Sequence, residues 1–131
     1  MAFERQKKFD MLFVDWGELG EDHAPETNIV VEVGNGVQGV LDGIVEKEGK
    51  PRYILTDAFM CDKTGKSLEK YDKNLYVKGN TSLNKQMLED DADDFIPVKE
   101  GDNVRIVFLG KYTTKLGGVG YGMDVYVNRG K

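Results

Sequence analysis

The chain has 131 residues, 40% of them hydrophobic and 31% charged, with a formal net charge of −5. That length fits one domain able to bury a core without disulfide support. Cys61 is the only cysteine and His23 the only histidine, which excludes an internal disulfide and a zinc centre of clustered sulfur and nitrogen ligands.

Met1 to Leu12 carries Glu4, Arg5, Lys7, Lys8 and Asp10 and no apolar run of signal-peptide length, so neither a signal peptide nor a membrane span is expected; the expected setting is cytoplasmic, with which the lone cysteine is compatible. Charge is unevenly spread. Residues 1–46 hold 3 Lys or Arg against 10 Asp or Glu, and residues 89–102 hold 1 against 7. Residues 47–88 hold 9 against 5, and residues 103–131 hold 5 against 1. The positive excess thus falls on the segments that read as strands and hairpin, whereas the acid falls on the amino-terminal part and one connector.

Taken in order, residues 1–28 read as an arm that either crosses the folded body or pairs with another subunit. Trp16 in it either anchors packing or stacks on a base, and Gly17 to Asn28 is loop by composition. Asn28 to Lys47 reads as a long, bent first strand around Gly34-Asn35-Gly36, with Gly39 and Gly43 marking bulges or bends. Glu48 to Pro51 is a turn. Arg52 to Met60 is a strand with apolar residues on both parities, which leaves its orientation open. Asp62 to Lys66 is a second turn, and Ser67 to Lys73 an exposed loop.

The clearest period-two alternation follows. Leu75 and Val77 alternate with Tyr76 and Lys78, Val104, Ile106 and Phe108 with Arg105, Val107 and Leu109, and Met123, Val125 and Val127 with Asp124, Tyr126 and Asn128. Asn80 or Thr81 caps a short helix over Thr81 to Leu88, with Leu83, Met87 and Leu88 as its apolar stripe. The helix ends at the acidic run Glu89 to Asp94, and a glycine-rich hairpin joins the last two strands. One helix between the third and fourth of about five antiparallel strands is the order of an OB barrel. The expected fold is therefore all-β with one short helix: a five-stranded antiparallel OB-like barrel over residues 29–131, with residues 1–28 as its arm.

Several motifs fail their own requirements. Gly65-Lys66-Ser67 matches the end of a phosphate-binding loop, but Met60 stands where its first glycine belongs. Asp62-Lys63-Thr64-Gly65 resembles the phosphorylated motif of ion pumps, which are far larger. The glycines at 117, 118, 120 and 122 precede a strand, not the helix of a dinucleotide site. Asp90, Asp91, Asp93 and Asp94 lack calcium-loop spacing, and His23 has no partner legible in the sequence. No enzyme activity, cofactor or metal is expected.

The combination with a mechanism is aromatic plus basic. If Leu75, Val77, Val104 and Ile106 face inward, then Tyr76, Lys78, Arg105, Lys111 and Tyr126 face outward. The hairpin adds Tyr112, Lys115 and Tyr121. Rings that stack on bases and cations that track phosphates are what a single strand requires.

With these residues, the chain resembles the small OB-fold single-stranded DNA-binding proteins of bacteriophages. The resemblance rests on Gly79-Asn80-Thr81-Ser82-Leu83, on Gly101-Asp102-Asn103-Val104-Arg105-Ile106 followed by Gly110-Lys111, and on Tyr121-Gly122-Met123-Asp124-Val125. It implies protection of single-stranded DNA in replication or recombination without sequence readout, in the host cytoplasm. Replication or recombination proteins and further copies of the chain are the implied partners. The basic end, Asn128-Arg129-Gly130-Lys131, departs from the acidic tail of bacterial members. The acidic arm suggests a shield over the groove. The competing expectation is a phage β-barrel assembly or adaptor protein acting through protein contacts.

Overall fold

The computed structural model describes residues 11–89 and 95–129, so the expectations placed on residues 1–10, 90–94 and 130–131 lie outside the described residues. Among the described residues eight strands form one sheet: β1 (Met11–Trp16), β2 (Asn28–Val31), β3 (Asn35–Lys47), β4 (Lys50–Asp62), β5 (Ser67–Lys70), β6 (Asn74–Lys78), β7 (Asn103–Thr113) and β8 (Val119–Asn128). The order across the sheet is β2-β1-β6-β4-β3-β7-β8, with β5 on the free half of β4's edge. β1 runs parallel to both β2 and β6, and the other pairs are antiparallel.

The mostly β expectation stands, but a closed five-stranded antiparallel barrel does not describe this sheet, which is mixed, open and eight-stranded. Three segments account for the difference. Residues expected in the arm supply β1, the start of the expected first strand separates as β2 and pairs with β1, and Ser67–Lys70, expected as loop, pairs with β4. The first strand of the sequence reading is divided at Glu32 to Gly34, where a turn bond joins Asn35 N–H to the Glu32 carbonyl at 3.0 Å.

Local chemistry sets the hairpins and bulges. Glu48 and Gly49, at φ 55° and 76°, connect β3 to β4 in the two-residue turn whose twist suits antiparallel strands. In β4, Tyr53 and Leu55 enter the core from one parity and Ala58 from the other. The change occurs at Asp57, which has φ 51° and stands with Ala58 opposite Gly39, one residue too many for the ladder. This bulge accounts for the change of parity between Leu55 and Ala58, whereas Ile54, ahead of it, is buried on the opposite face from Tyr53 and Leu55.

α1 (Thr81–Asn84) starts as expected. Asn80 is its N-cap and accepts from Leu83 N–H at 2.9 Å, after which the chain widens into a looser helical turn over Lys85–Glu89. Leu83 and Met87 are fully buried. Tyr53 Oη donates to Asn84 Oδ1 at 2.8 Å, tying this helix to β4.

The sheet curls around one core. Val14 and Trp16 of β1 and Val31 of β2 share it with Val37, Leu41, Tyr53, Leu55, Leu75, Val77, Ile106, Phe108 and Met123. The segment expected as an arm therefore contributes to the same core as residues 29–129. Trp16 serves as a packing anchor: it is buried, with its ring 5.7 Å from Phe108. The Gly34 amide donates to the Phe108 carbonyl at 2.8 Å, which holds the start of β3 against β7.

Candidate nucleic-acid interface

The site begins on β6. Leu75 and Val77 fill the core, so the pleat turns Tyr76 and Lys78 outward, as the alternation predicts. β1 lies alongside in parallel register and sets Phe13 opposite Tyr76, with ring centres 5.2 Å apart in an edge-on arrangement. The loop from Gly17 to Thr27 folds beside this pair, and Phe13, Tyr76 and Lys78 line a cleft of about 350 Å³ with it.

Asp15 organises that loop. Its carboxylate lies 2.7 Å from His23 Nδ1, accepts from Asn28 Nδ2 at 3.0 Å and is only 11% exposed. His23, which the sequence left without a partner, thus has one. The pair was illegible because both residues act through a loop with no period.

A second cleft of about 470 Å³ adjoins the first and is lined by Trp16, Glu18, Lys78, Asn80, Lys111 and Tyr121 among others. Lys111 Nζ lies 3.0 Å from Glu18 and 5.6 Å from the centre of the Tyr121 ring. The hydrogen bond to Glu18 holds the ammonium pKa above its ordinary value, against desolvation, which lowers it. Tyr121 packs on Phe108 at 6.3 Å. A third cleft of about 270 Å³ continues past Tyr121 to Tyr112 and the start of α1. Lys78 belongs to the first two clefts, and Asn80 and Tyr121 to the last two, so the three make one band.

Five of the eight expected residues therefore converge: Tyr76, Lys78, Lys111, Tyr112 and Tyr121. Lys115 stands exposed in the hairpin loop, whose turn is closed by Thr114 N–H to the Gly118 carbonyl at 2.8 Å. Arg105 and Tyr126 lie elsewhere, facing each other at 5.7 Å in a cleft that shares no residue with the band. Strict alternation put Lys111 on Arg105's face. A register shift between Phe108 and Gly110, where Gly110 takes φ 118°, instead pairs Lys111 with Tyr121. An isolated glycine in a strand was the available signal for that bulge.

The band's electrostatics are mixed. Lys78 and Lys111 share it with Asp15, Glu18, Glu21 and Asp22, all from β1 or the loop after it. Phe13 and Asn80 are lining residues that the sequence reading did not select. Among the described residues, no group of three or more His, Cys, Asp and Glu side chains converges as metal ligands would. Among them, too, no helix is long and apolar enough to cross a membrane. No family model, curated protein or solved structure matches this chain.

Proposed function

We propose that the chain binds single-stranded DNA without sequence readout and protects it during phage-type replication or recombination. The observation that carries this reading is the band of Tyr76, Lys78, Lys111, Tyr121 and Tyr112 along three adjoining clefts. It offers rings for stacking and cations for the backbone. Its location adds support. We read the path β6-β4-β3-β7-β8, with α1 between β6 and β7 in the chain, as OB-like. In such folds the face of the second and third strands and the loop between the last two hold oligonucleotides. Of those parts, β6 and the two ends of the last hairpin line the band, through Tyr76, Lys78, Tyr112 and Tyr121.

The acidic loop then acts as a competitor. Glu18 occupies Lys111 in the free protein, and a phosphate takes its place. The test is fluorescence anisotropy with labelled oligothymidine and its duplex at two salt concentrations. If about three phosphates are neutralised, log affinity falls by roughly 2 per decade of salt. No complex with oligothymidine in dilute buffer would sink the reading.

A second reading, a phage β-barrel assembly or adaptor protein, is favoured by the hairpin tip. Leu116 there is 99% exposed and Val119 63%, and paired apolar exposure of this kind suits a protein contact. It predicts association that salt barely changes.

A further inference from the structure

The outward face of the sheet carries a row of side chains that the band does not use. Lys70 on β5 stands opposite Phe59 on β4, Phe59 opposite Gln38 on β3, Gln38 opposite Arg105 on β7, and Arg105 opposite Tyr126 on β8. The next row along, Met60, Val37, Ile106 and Val125, packs in or against the core, so the pleat turns this one outward. Four strand spacings give it a length of about 19 Å, room for a segment of about four nucleotides.

Phe59 and Tyr126 supply rings. Phe59 is half-buried and stands outside the core cluster, and Tyr126 is 51% exposed. Lys70 and Arg105 supply cations, and Arg105 is held in place. Its Nε donates to Gln38 Oε1 at 2.9 Å, and its guanidinium faces the Tyr126 ring at 5.7 Å, so little freedom is lost when a phosphate arrives. The turn after β4 leans on Arg105 at Gly65, where an added Cβ would collide with the guanidinium. Lys63 and Lys66 stand exposed on that turn, and its carboxylate, Asp62, accepts from the Thr64 and Lys66 amides at 2.9 and 3.0 Å. No carboxylate stands in the row itself. Asp124 shares its face two residues along β8, whereas the lysines of the band sit among four acids.

We propose that this row is a second seat for single-stranded nucleic acid, separate from the band. Bases stack on Phe59 and Tyr126, and the backbone between them passes Arg105, with Lys70 at the far end. With the band occupied as well, one chain holds two segments of strand at once. The kind of ligand rests on the single-strand reading. The residues do not: none of the five lines the clefts of the band, so each seat can be tested without the other.

The experiment titrates the isotope-labelled full chain with a thymidine tetranucleotide and, separately, with an abasic tetramer carrying the same phosphates, following backbone amides by NMR. Two groups of signals are expected to move saturably with the first, one around Tyr76 and Lys78 and one around Phe59, Arg105 and Tyr126. At the row the abasic tetramer should bind at least about fivefold more weakly. Tyr126→Ala should weaken the second group alone, again at least about fivefold. Lys70→Gln, at an exposed position, serves if that variant fails to fold, and should lower the salt slope of the same group by about 0.7. Row signals that stay still while those of the band move overturn the proposal and keep the single-strand reading. An equal response to the abasic tetramer overturns it too, since it leaves only a cationic patch. Movement of the row alone keeps this seat and removes the band, and stillness in both groups ends both.

Discussion

Gln86 completes the hydrogen bonding of β8 beside Met123. Its Nε2 donates to the Met123 carbonyl at 2.6 Å, and its Oε1 accepts from Val125 N–H at 3.0 Å. A neighbouring strand would offer the same donor and acceptor, so one side chain stands in for the pairing that β6 does not make with β8. Gln86→Ala is expected to destabilise the fold by about 1–3 kcal/mol, because two strand-edge groups lose their partner. Urea denaturation at constant m-value checks this, and a change below a few tenths would mean that water replaces the amide.

The position of Trp16 in the core makes the amino-terminal segment structural. Trp16→Ala is expected to cost about 3–5 kcal/mol, a large share of the roughly 5–15 kcal/mol that holds a domain together. Thermal unfolding measures it. Removing residues 1–27 would take Val14 and Trp16 out of the core as well, so truncation does not cleanly test the shielding role of the acidic segment.

Glu18 offers the cleaner test. Glu18→Gln keeps the loop but frees Lys111, and oligothymidine affinity is expected to rise roughly two- to fivefold at low salt. Lys111→Ala should weaken binding and reduce the salt slope by about 0.7. If both variants bind like the parent in anisotropy titrations, Lys111 lies outside the interface.

Asp57 has a positive φ that side chains with a Cβ adopt at a cost. Asp57→Gly should leave stability unchanged or raise it by up to about 1 kcal/mol, while Asp57→Val should lower it by about 1–2 kcal/mol. Equal midpoints for the two variants in chemical denaturation would show that the bulge relaxes.

Alkaline pH should weaken the fold. Burial raises the Cys61 thiol, with nearby Arg105 pulling it down, and burial together with Glu69 raises Tyr71 strongly. The Glu18 hydrogen bond raises Lys111. In each case the unfolded chain releases its proton first, so stability is intact below the ordinary pKa and falls as pH climbs toward the folded one. Denaturation midpoints from neutral pH to about 10 should decline, and Cys61→Ala should flatten the earliest part of that decline. A level profile in the parent chain would contradict the burial of Cys61.

The parts of the fold legible in the sequence are those governed by neighbours in the chain. β6, β7 and β8 announce themselves by alternation, and α1 by Asn80. β1 does not, because Leu12, Phe13 and Val14 are apolar in succession, and its two partners run parallel to it without a hairpin turn to mark them. The candidate site suffered from the same cause. Tyr76 and Lys78 lie on β6, whose pairing with β1 and β4 has no bulge, and point where the period says, whereas Lys111 follows the irregularity at Gly110 and turns away from Arg105. The Asp15–His23 and Glu18–Lys111 contacts join a loop to distant elements, which periodicity does not encode.

The parallel pairing of β1 with β6 also dictates an order of assembly. About sixty residues separate Met11 from its register partner Asn74, and no tight turn can bring such strands together stepwise. The β3–β4 hairpin, by contrast, closes through two residues. β1 therefore docks on β6 after the β3–β4 hairpin has closed, and its amides should trade hydrogens with solvent before those of the hairpin.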